Sequence, residues 1–229
     1  MIYRKYITGG FSLPFSAENS GSASAKAYRV LERMIVTLEL APGSVATEGS
    51  MIERLGLGRT PVREAIQRLA WEGLVEVRPR AGLAIAPLHA ADWMRVLDAR
   101  RGIEIVLARS AARHVTRDAA DRFHAAALAM RKAVIAGDVP AFLEADKALD
   151  EAMAIAADNP FAARVAAPLQ THSRRFWFRY QADTGLGLAA EHHVRLISAI
   201  LEKDEQAAAA EAQRLMSLLR EHAEQAASR

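Results

Sequence analysis

The stretch from Arg59 to Val75 constrains this chain most, because it holds a helix start, two unlike helix faces and a helix stop in immediate succession. Thr60 offers a hydroxyl to an orphan backbone N–H, and Pro61, with no N–H and a fixed φ, suits the first helical position. Val62, Ala65, Ile66 and Leu69 then share one face at i, i+3, i+4 and i+7, and Gly73 ends the run. Arg59, Arg63 and Gln67 fall together on the other side. Two guanidinium groups therefore stand beside the open N–H donors of a helix start, a place that suits an anion by dipole and by hydrogen bonding.

Such a helix, entering a major groove by its first turn, can read guanine with arginine and adenine with glutamine. Taken alone, the segment is equally an amphipathic surface helix with solvated arginines, so its neighbours decide. Upstream, Tyr28 to Leu38 carries a helical pattern (Val30, Leu31, Met34, Ile35, Leu38) that Ala41-Pro42-Gly43-Ser44 breaks. A second, short helix is expected from about Thr47 to Leu55, with Gly56-Leu57-Gly58 as a tight turn into the next, which is a helix-turn-helix arrangement. Downstream, Leu74 to Arg78 and Leu83 to Ile85 alternate like strands around a turn at Pro79-Arg80-Ala81-Gly82, giving a two-stranded wing with Arg80 at its tip.

Residues from about Tyr28 to Pro87 resemble the winged helix-turn-helix domain of the GntR family of bacterial transcription regulators. Three blocks carry the resemblance in order: Leu40-Ala41-Pro42-Gly43, Arg59-Thr60-Pro61-Val62-Arg63-Glu64-Ala65 and Glu72-Gly73-Leu74-Val75. The resemblance implies that Arg59 and Arg63 contact double-stranded DNA from the recognition helix, and that Arg80 to Gly82 do so from the wing; Thr60 and Gln67 join them as candidates from their places on the same helix. Gly58 departs from the family, which usually has Ser or Thr there, and Ala46 stands in place of a larger apolar residue; the first costs a phosphate contact and the second thins the small core.

Charge distribution agrees. Residues 1–85 hold 11 Lys and Arg against 8 Asp and Glu, whereas residues 86–229 hold 19 of each, so the excess positive charge lies wholly in the half expected to meet phosphate. There is no cysteine, which excludes disulfide and thiol chemistry and fits a cytoplasmic setting. No run approaches the length of a membrane span. Residues 1–25, ending in Gly21-Ser22-Ala23-Ser24, read as a flexible arm, and residues 26–87 as the DNA-binding domain.

The fold class that follows is mainly α: the winged domain, a short hinge at Pro87 to Ala91, and an all-α bundle of about six helices over 92–226. Breaks near Thr116, Gly137-Asp138, Asn159-Pro160, Gly185 and Asp204 divide that bundle, with Asp138 and Asn159 reading as N-caps. Chain order and helix content are similar to the C-terminal ligand-binding and dimerisation domain of the FadR subfamily, the FCD domain, on Arg100-Arg101-Gly102-Ile103-Glu104, Asp146 with Asn159, and His193 through Ala199-Ile200 to Asp204.

At 100° per residue, Arg100 falls in the stripe of Trp93, Val96, Ile103 and Leu107; Asp146 falls in that of Phe142, Leu149 and Met153 with Asp150 at its edge; His193 lies among Val194, Ile197 and Ile200. Inward charge is costly unless paired, so these groups meet one another, a metal or a ligand. A structural Arg–Asp pair with a satisfied core histidine is the plainer alternative. The resemblance implies a divalent metal held by Asp-x-x-x-His and two later histidines, and an organic acid bound to metal and arginine. Here Asp146 and His193 match two ligands, whereas Asp150 and Leu215 replace histidines. Asp146, Asp150 and His193 suit Mg or Mn better than zinc or nickel. Without a metal, Arg100 is the main candidate for a ligand carboxylate. Arg174-Arg175-Phe176-Trp177-Phe178-Arg179-Tyr180 is expected to bury Phe176 and Tyr180 and to solvate its arginines, with Arg174 also a candidate to enter the pocket. His192 is expected to be exposed. The whole reads as a non-enzymatic, ligand-responsive regulator, a homodimer on a pseudopalindromic operator, repressing until a small organic acid binds; a constitutive DNA binder whose C-terminal domain only dimerises and, more remotely, a metal-dependent enzyme are the alternatives.

Overall fold

A computed structural model describes residues 21–180 and 186–228. Most of the expected N-terminal arm, and the break at Gly185, lie outside the described residues. The described residues divide into two compact units, one comprising 21–35 with 40–86, the other 36–39 with the described residues from Pro87 onward.

In the first unit, α1 (Ala23–Val36) begins inside the stretch read as an arm, because the Ser22 hydroxyl accepts from the Ala25 N–H at 3.1 Å and holds the first turn. It also stops short of Leu38, which adopts φ +59° and leaves the helical stripe. β1 (Val45–Ala46) precedes α2 (Glu48–Leu55), whose start is a reciprocal box: Ser50 N–H donates to Thr47 Oγ1 at 3.0 Å, and Thr47 N–H donates to Ser50 Oγ at 3.2 Å. α2 ends on Gly56 in the left-handed region, and α3 (Arg59–Trp71) follows directly. The second end of α3 is a reversal in which Leu74 N–H reaches the Leu69 carbonyl at 2.9 Å and Gly73 takes φ +76°.

The wing is β2 (Val75–Arg78) and β3 (Gly82–Ile85), antiparallel with Val75 opposite Ile85 and Arg78 opposite Gly82. β1 adds a third, two-residue strand on the other edge of β3, giving the order β1-β3-β2. That central position explains why Leu83, Ala84 and Ile85 are all buried instead of alternating. Leu31, Met34 and Ile35 of α1, Val62, Ala65, Ile66 and Leu69 of α3, and Leu74, Leu83 and Ile85 of the wing form one core.

The second unit is six helices among the described residues: α4 (Ala90–His114), α5 (Arg117–Ala136), α6 (Val139–Ala156), α7 (Pro160–Tyr180), α8 (Leu186–Leu201) and α9 (Glu205–Ala227). α4 begins at Ala90, within the stretch read as a hinge. The caps account for the breaks: Thr116, Asp138, Asn159 and Asp204 each accept from the first turn, Asp138 from Ala141 N–H at 2.9 Å and Asn159 from Ala162 N–H at 3.1 Å. Alanine at Ala108, Ala111 and Ala112 of α4 and at Ala208, Ala212 and Ala223 of α9 lets these long helices lie close together. Trp93 is fully buried, stacked on Phe176 at 6.0 Å and Tyr180 at 6.2 Å between ring centres. No helix among the described residues is long and apolar enough to cross a membrane.

Candidate nucleic-acid interface and inward polar cluster

The outward face of α3 carries the expected polar side chains, with Arg59, Thr60, Arg63 and Gln67 all exposed opposite the buried Val62, Ala65, Ile66 and Leu69. The helix starts two residues earlier than a cap at Thr60 implies. Gly58 is the N-cap, in an extended conformation, and with no side chain it gives the first turn no capping bond. Pro61 accordingly sits at the third helical position, where its missing N–H is still one of the orphans. The family's usual Ser or Thr at Gly58 would be an N-cap, so the departure removes a cap.

Arg63 is not solvated on its own. Its Nε donates to Glu48 Oε2 at 3.2 Å, the carboxylate being the first residue of α2. Arg68 lies under the helix, its guanidinium carbon 3.7 Å from the centre of the Tyr28 ring and its Nε 2.9 Å from Glu72 Oε1, while Tyr28 Oη donates to Glu72 Oε2 at 2.8 Å. This network ties α3 to α1 and leaves the partly buried Arg68 committed to it.

In the wing, Ala81 N–H closes the turn on the Arg78 carbonyl at 3.1 Å, and Arg80 is exposed at the tip with φ +64°. Gly82 has a steric role that its expected DNA contact did not anticipate. At φ +91°, a Cβ there would lie 2.4 Å from the Ala46 carbonyl oxygen. Glycine is what lets β1 approach β3.

The inward groups of the second unit do meet. Arg100 comes from α4, Asp146 and Asp150 from α6, Arg174 from α7 and His193 from α8, all buried. Arg174 Nη1 lies 3.2 Å from Asp146 Oδ2 and 2.5 Å from Asp150 Oδ2. His193 Nε2 is 2.9 Å from Asp146 Oδ1, and its Nδ1 is 2.6 Å from the Ala189 carbonyl, one turn back. Arg100 donates from Nε to Glu104 at 2.6 Å and places Nη2 3.9 Å from Asp150. Gln170 donates to the same Glu104 oxygen at 2.9 Å. Glu104 and Gln170 were missed as members of the site. Their signals are in the sequence, one turn after Arg100 and one turn before Arg174 on the same faces.

Three local expectations are corrected here. Val194 is exposed and Leu196 takes its place beside Ile197 and Ile200. Arg174 and Arg175 are buried, not solvated, Arg174 because two carboxylates await it; burial lowers Arg175 to about 10. His192 is half-buried, 3.9 Å from Glu211.

Burial, with Asp146 alongside, pushes the Asp150 carboxyl up to about 7. Burial also acts to raise Asp146, but the His193 hydrogen bond and charge, with Arg174, outweigh it and hold this carboxyl below the usual range. The same contact keeps His193 above its ordinary value although burial opposes it.

The metal that the family resemblance implies does not fit these residues. The carboxylate oxygens that would face a cation, Asp146 Oδ2 and Asp150 Oδ2, converge on the Arg174 guanidinium, and Leu215, at the position of a further ligand, is a buried core residue. Among the described residues no group of three or more His, Cys, Asp or Glu side chains is arranged to hold an ion.

Comparison with known proteins follows this division. The family model described as bacterial regulatory proteins, gntR family, matches residues 23–85, and the FCD domain model matches residues 95–218. An HTH-type transcriptional repressor of Escherichia coli (strain K12) is 37% identical over 89 residues, 39% of each chain. An uncharacterized HTH-type transcriptional regulator of Agrobacterium vitis is 32% identical over 144 residues, 60% of this chain and 82% of that protein. The chain spans 30% and 39% of the length of two of the curated relatives it matches, the E. coli repressor among them. In fold it is similar to the solved structure of E. coli McbR/YncC, at a TM-score of 0.76 and 17% identity over 90% of this chain and 98% of that one. Both halves of the molecule are thus accounted for, and the chain belongs to the GntR family of bacterial regulatory proteins, of the kind whose second half is an FCD domain.

Proposed function

We propose that this DNA-binding regulator is a cytoplasmic repressor that reads a pseudopalindromic operator as a homodimer and responds to a small ligand in its FCD domain. The observation that carries the first part is the outer face of α3: Arg59, Arg63 and Gln67 stand exposed on a helix whose buried face is anchored in the core, with Arg80 exposed on the wing. Two such helices related by a twofold axis read two half-sites, and the dimer sets their spacing. Relatives named as repressors, including one of a probable D-xylose utilization operon, support the sign.

The ligand-responsive part rests on the cluster of Arg100, Asp146, Asp150, Arg174 and His193. A small organic acid is the effector that suits it: its carboxylate takes the place of Asp150 against Arg174 and Arg100, and Asp150, with its raised pKa, can give up its charge. The ligand acts only through its different affinities for the operator-bound and free states. A second reading, a constitutive DNA binder whose FCD domain only dimerises, is favoured by the fact that the same charges already satisfy one another. Thermal-shift screening with a panel of small carboxylic acids separates the two, since only the sensor gains stability.

The DNA-reading role is tested with Arg63→Ala. On operators selected from random duplexes it loses about 1–3 kcal/mol and relaxes preference at one position per half-site. Unchanged binding and preference would sink the assignment of α3 as the reading helix.

A further inference from the structure

We propose that Glu48 is a positioning residue for sequence reading: by holding the Nε edge of Arg63, it aims the two terminal amino groups of that guanidinium outward as a fork for a guanine edge. This rests on the DNA-reading role of α3 proposed above and adds a residue from a different helix to it.

Three observations combine. Arg63 presents Nε, not a terminal nitrogen, to Glu48 Oε2 at 3.2 Å, so Nη1 and Nη2 are left for an outside acceptor. Those two nitrogens are the pair that matches guanine O6 and N7 bidentately. Glu48 is itself held, because it is the first residue of α2 directly after the Thr47–Ser50 box, and box and carboxylate share the first turn. The carboxylate also favours that helix end by its charge. The pair is exposed, at 57% for the Arg63 side chain and 32% for Glu48, so it contributes little to folding. A negative charge on a surface that meets phosphate weakens non-specific binding. Its presence there is accounted for by orientation: an arginine side chain has many rotamers, and tethering its inner nitrogen removes most of them before DNA arrives.

The test compares wild type, Glu48→Ala, Glu48→Gln and Arg63→Ala by selection from a library of random duplex DNA, followed by titration of the wild-type consensus and of a scrambled duplex. Circular dichroism melting checks that each variant is folded. Glu48→Ala is expected to lose about fivefold or more of the preference at the position that Arg63→Ala abolishes, while its affinity for scrambled DNA rises. Glu48→Gln keeps an oxygen that accepts from Nε, so it retains most of that preference although it removes the same charge. If the two Glu48 variants behave alike, charge alone is at work and the positioning role is overturned. If Glu48→Ala keeps the wild-type preference, it is likewise overturned. Failure of the wild type to enrich any sequence is a different result, which removes the DNA-reading role and this inference with it.

Discussion

Asp150 Oδ2 and Arg174 Nη1 lie 2.5 Å apart inside the helical unit, each residue under a tenth exposed. A pair of this kind is retained at a desolvation cost, and its strength is felt when one partner goes. Arg174→Ala should therefore destabilise the protein by about 3–5 kcal/mol, since it leaves Asp150 only the longer 3.9 Å contact with Arg100 and Asp146 only His193. Arg113→Ala, which breaks the exposed pair with Glu205, should cost under about 1 kcal/mol. Chemical denaturation of the two variants checks the contrast, and equal losses would contradict the inward cluster.

Stability should also depend on pH through the same group. Asp150 has a folded pKa raised from 3.8 to about 7, so the stability it contributes is fully present below 3.8 and is lost as pH rises through about 7. His193, raised above its ordinary 6.5, loses its contribution as pH rises further; Asp146, lowered, loses its own only as pH falls below its ordinary 3.8. Between pH 5 and 8 the melting temperature should fall with rising pH, and Asp150→Asn should flatten that slope. A variant slope equal to the wild type's would show that Asp150 does not titrate there.

Divalent cations should leave the protein unchanged. Because Arg174 occupies the oxygens of Asp146 and Asp150 that a cation needs, neither Mg, Mn, Zn nor Ni, nor a chelator, should move the melting temperature of the purified protein. A saturable rise with any one of them would show that the guanidinium yields its place.

Gly82→Ala should weaken the wing. The added Cβ meets the Ala46 carbonyl at 2.4 Å and the backbone stays at φ +91°, a combination costing about 1–3 kcal/mol from strain alone. Hydrogen exchange of the Leu83 and Ile85 amides reports it, and protection like that of the wild type would refute the close approach as a constraint.

Much of this was legible because it is local. The stripe Val62, Ala65, Ile66, Leu69 lies within one helix with its stop at Gly73 just beyond, and the caps at Asp138 and Asn159 act within one turn; Asp204, read only as a break, proved to be a cap as well. What escaped the sequence was long-range or small. Arg175 reads as a solvated arginine yet is buried, and Arg174, a candidate for the pocket, has its partners set only when α6 brings two carboxylates to it. β1 is two residues long, too short for any alternation to show, and it exists because β3 offers it an edge. Glu48 and Arg63 are fifteen positions apart on different helices, and only the turn at Gly56 brings them into register.

The bare cap at Gly58 has a consequence for what completes the recognition helix. With Pro61 lacking an N–H and no side chain reaching back, the first-turn amides of Arg59 and Thr60 have no side-chain cap. An oxygen from outside the chain can occupy that place, and a DNA phosphate is such an oxygen. The helix would then be finished by its target, so that part of the grip on DNA is written into secondary structure and is indifferent to base sequence. Replacing Gly58 with Ser separates this from the plain loss of a phosphate contact expected from the sequence: a side chain that caps the helix internally raises the melting temperature and lowers affinity for scrambled duplex, whereas one that contacts phosphate itself raises that affinity and would reject the idea.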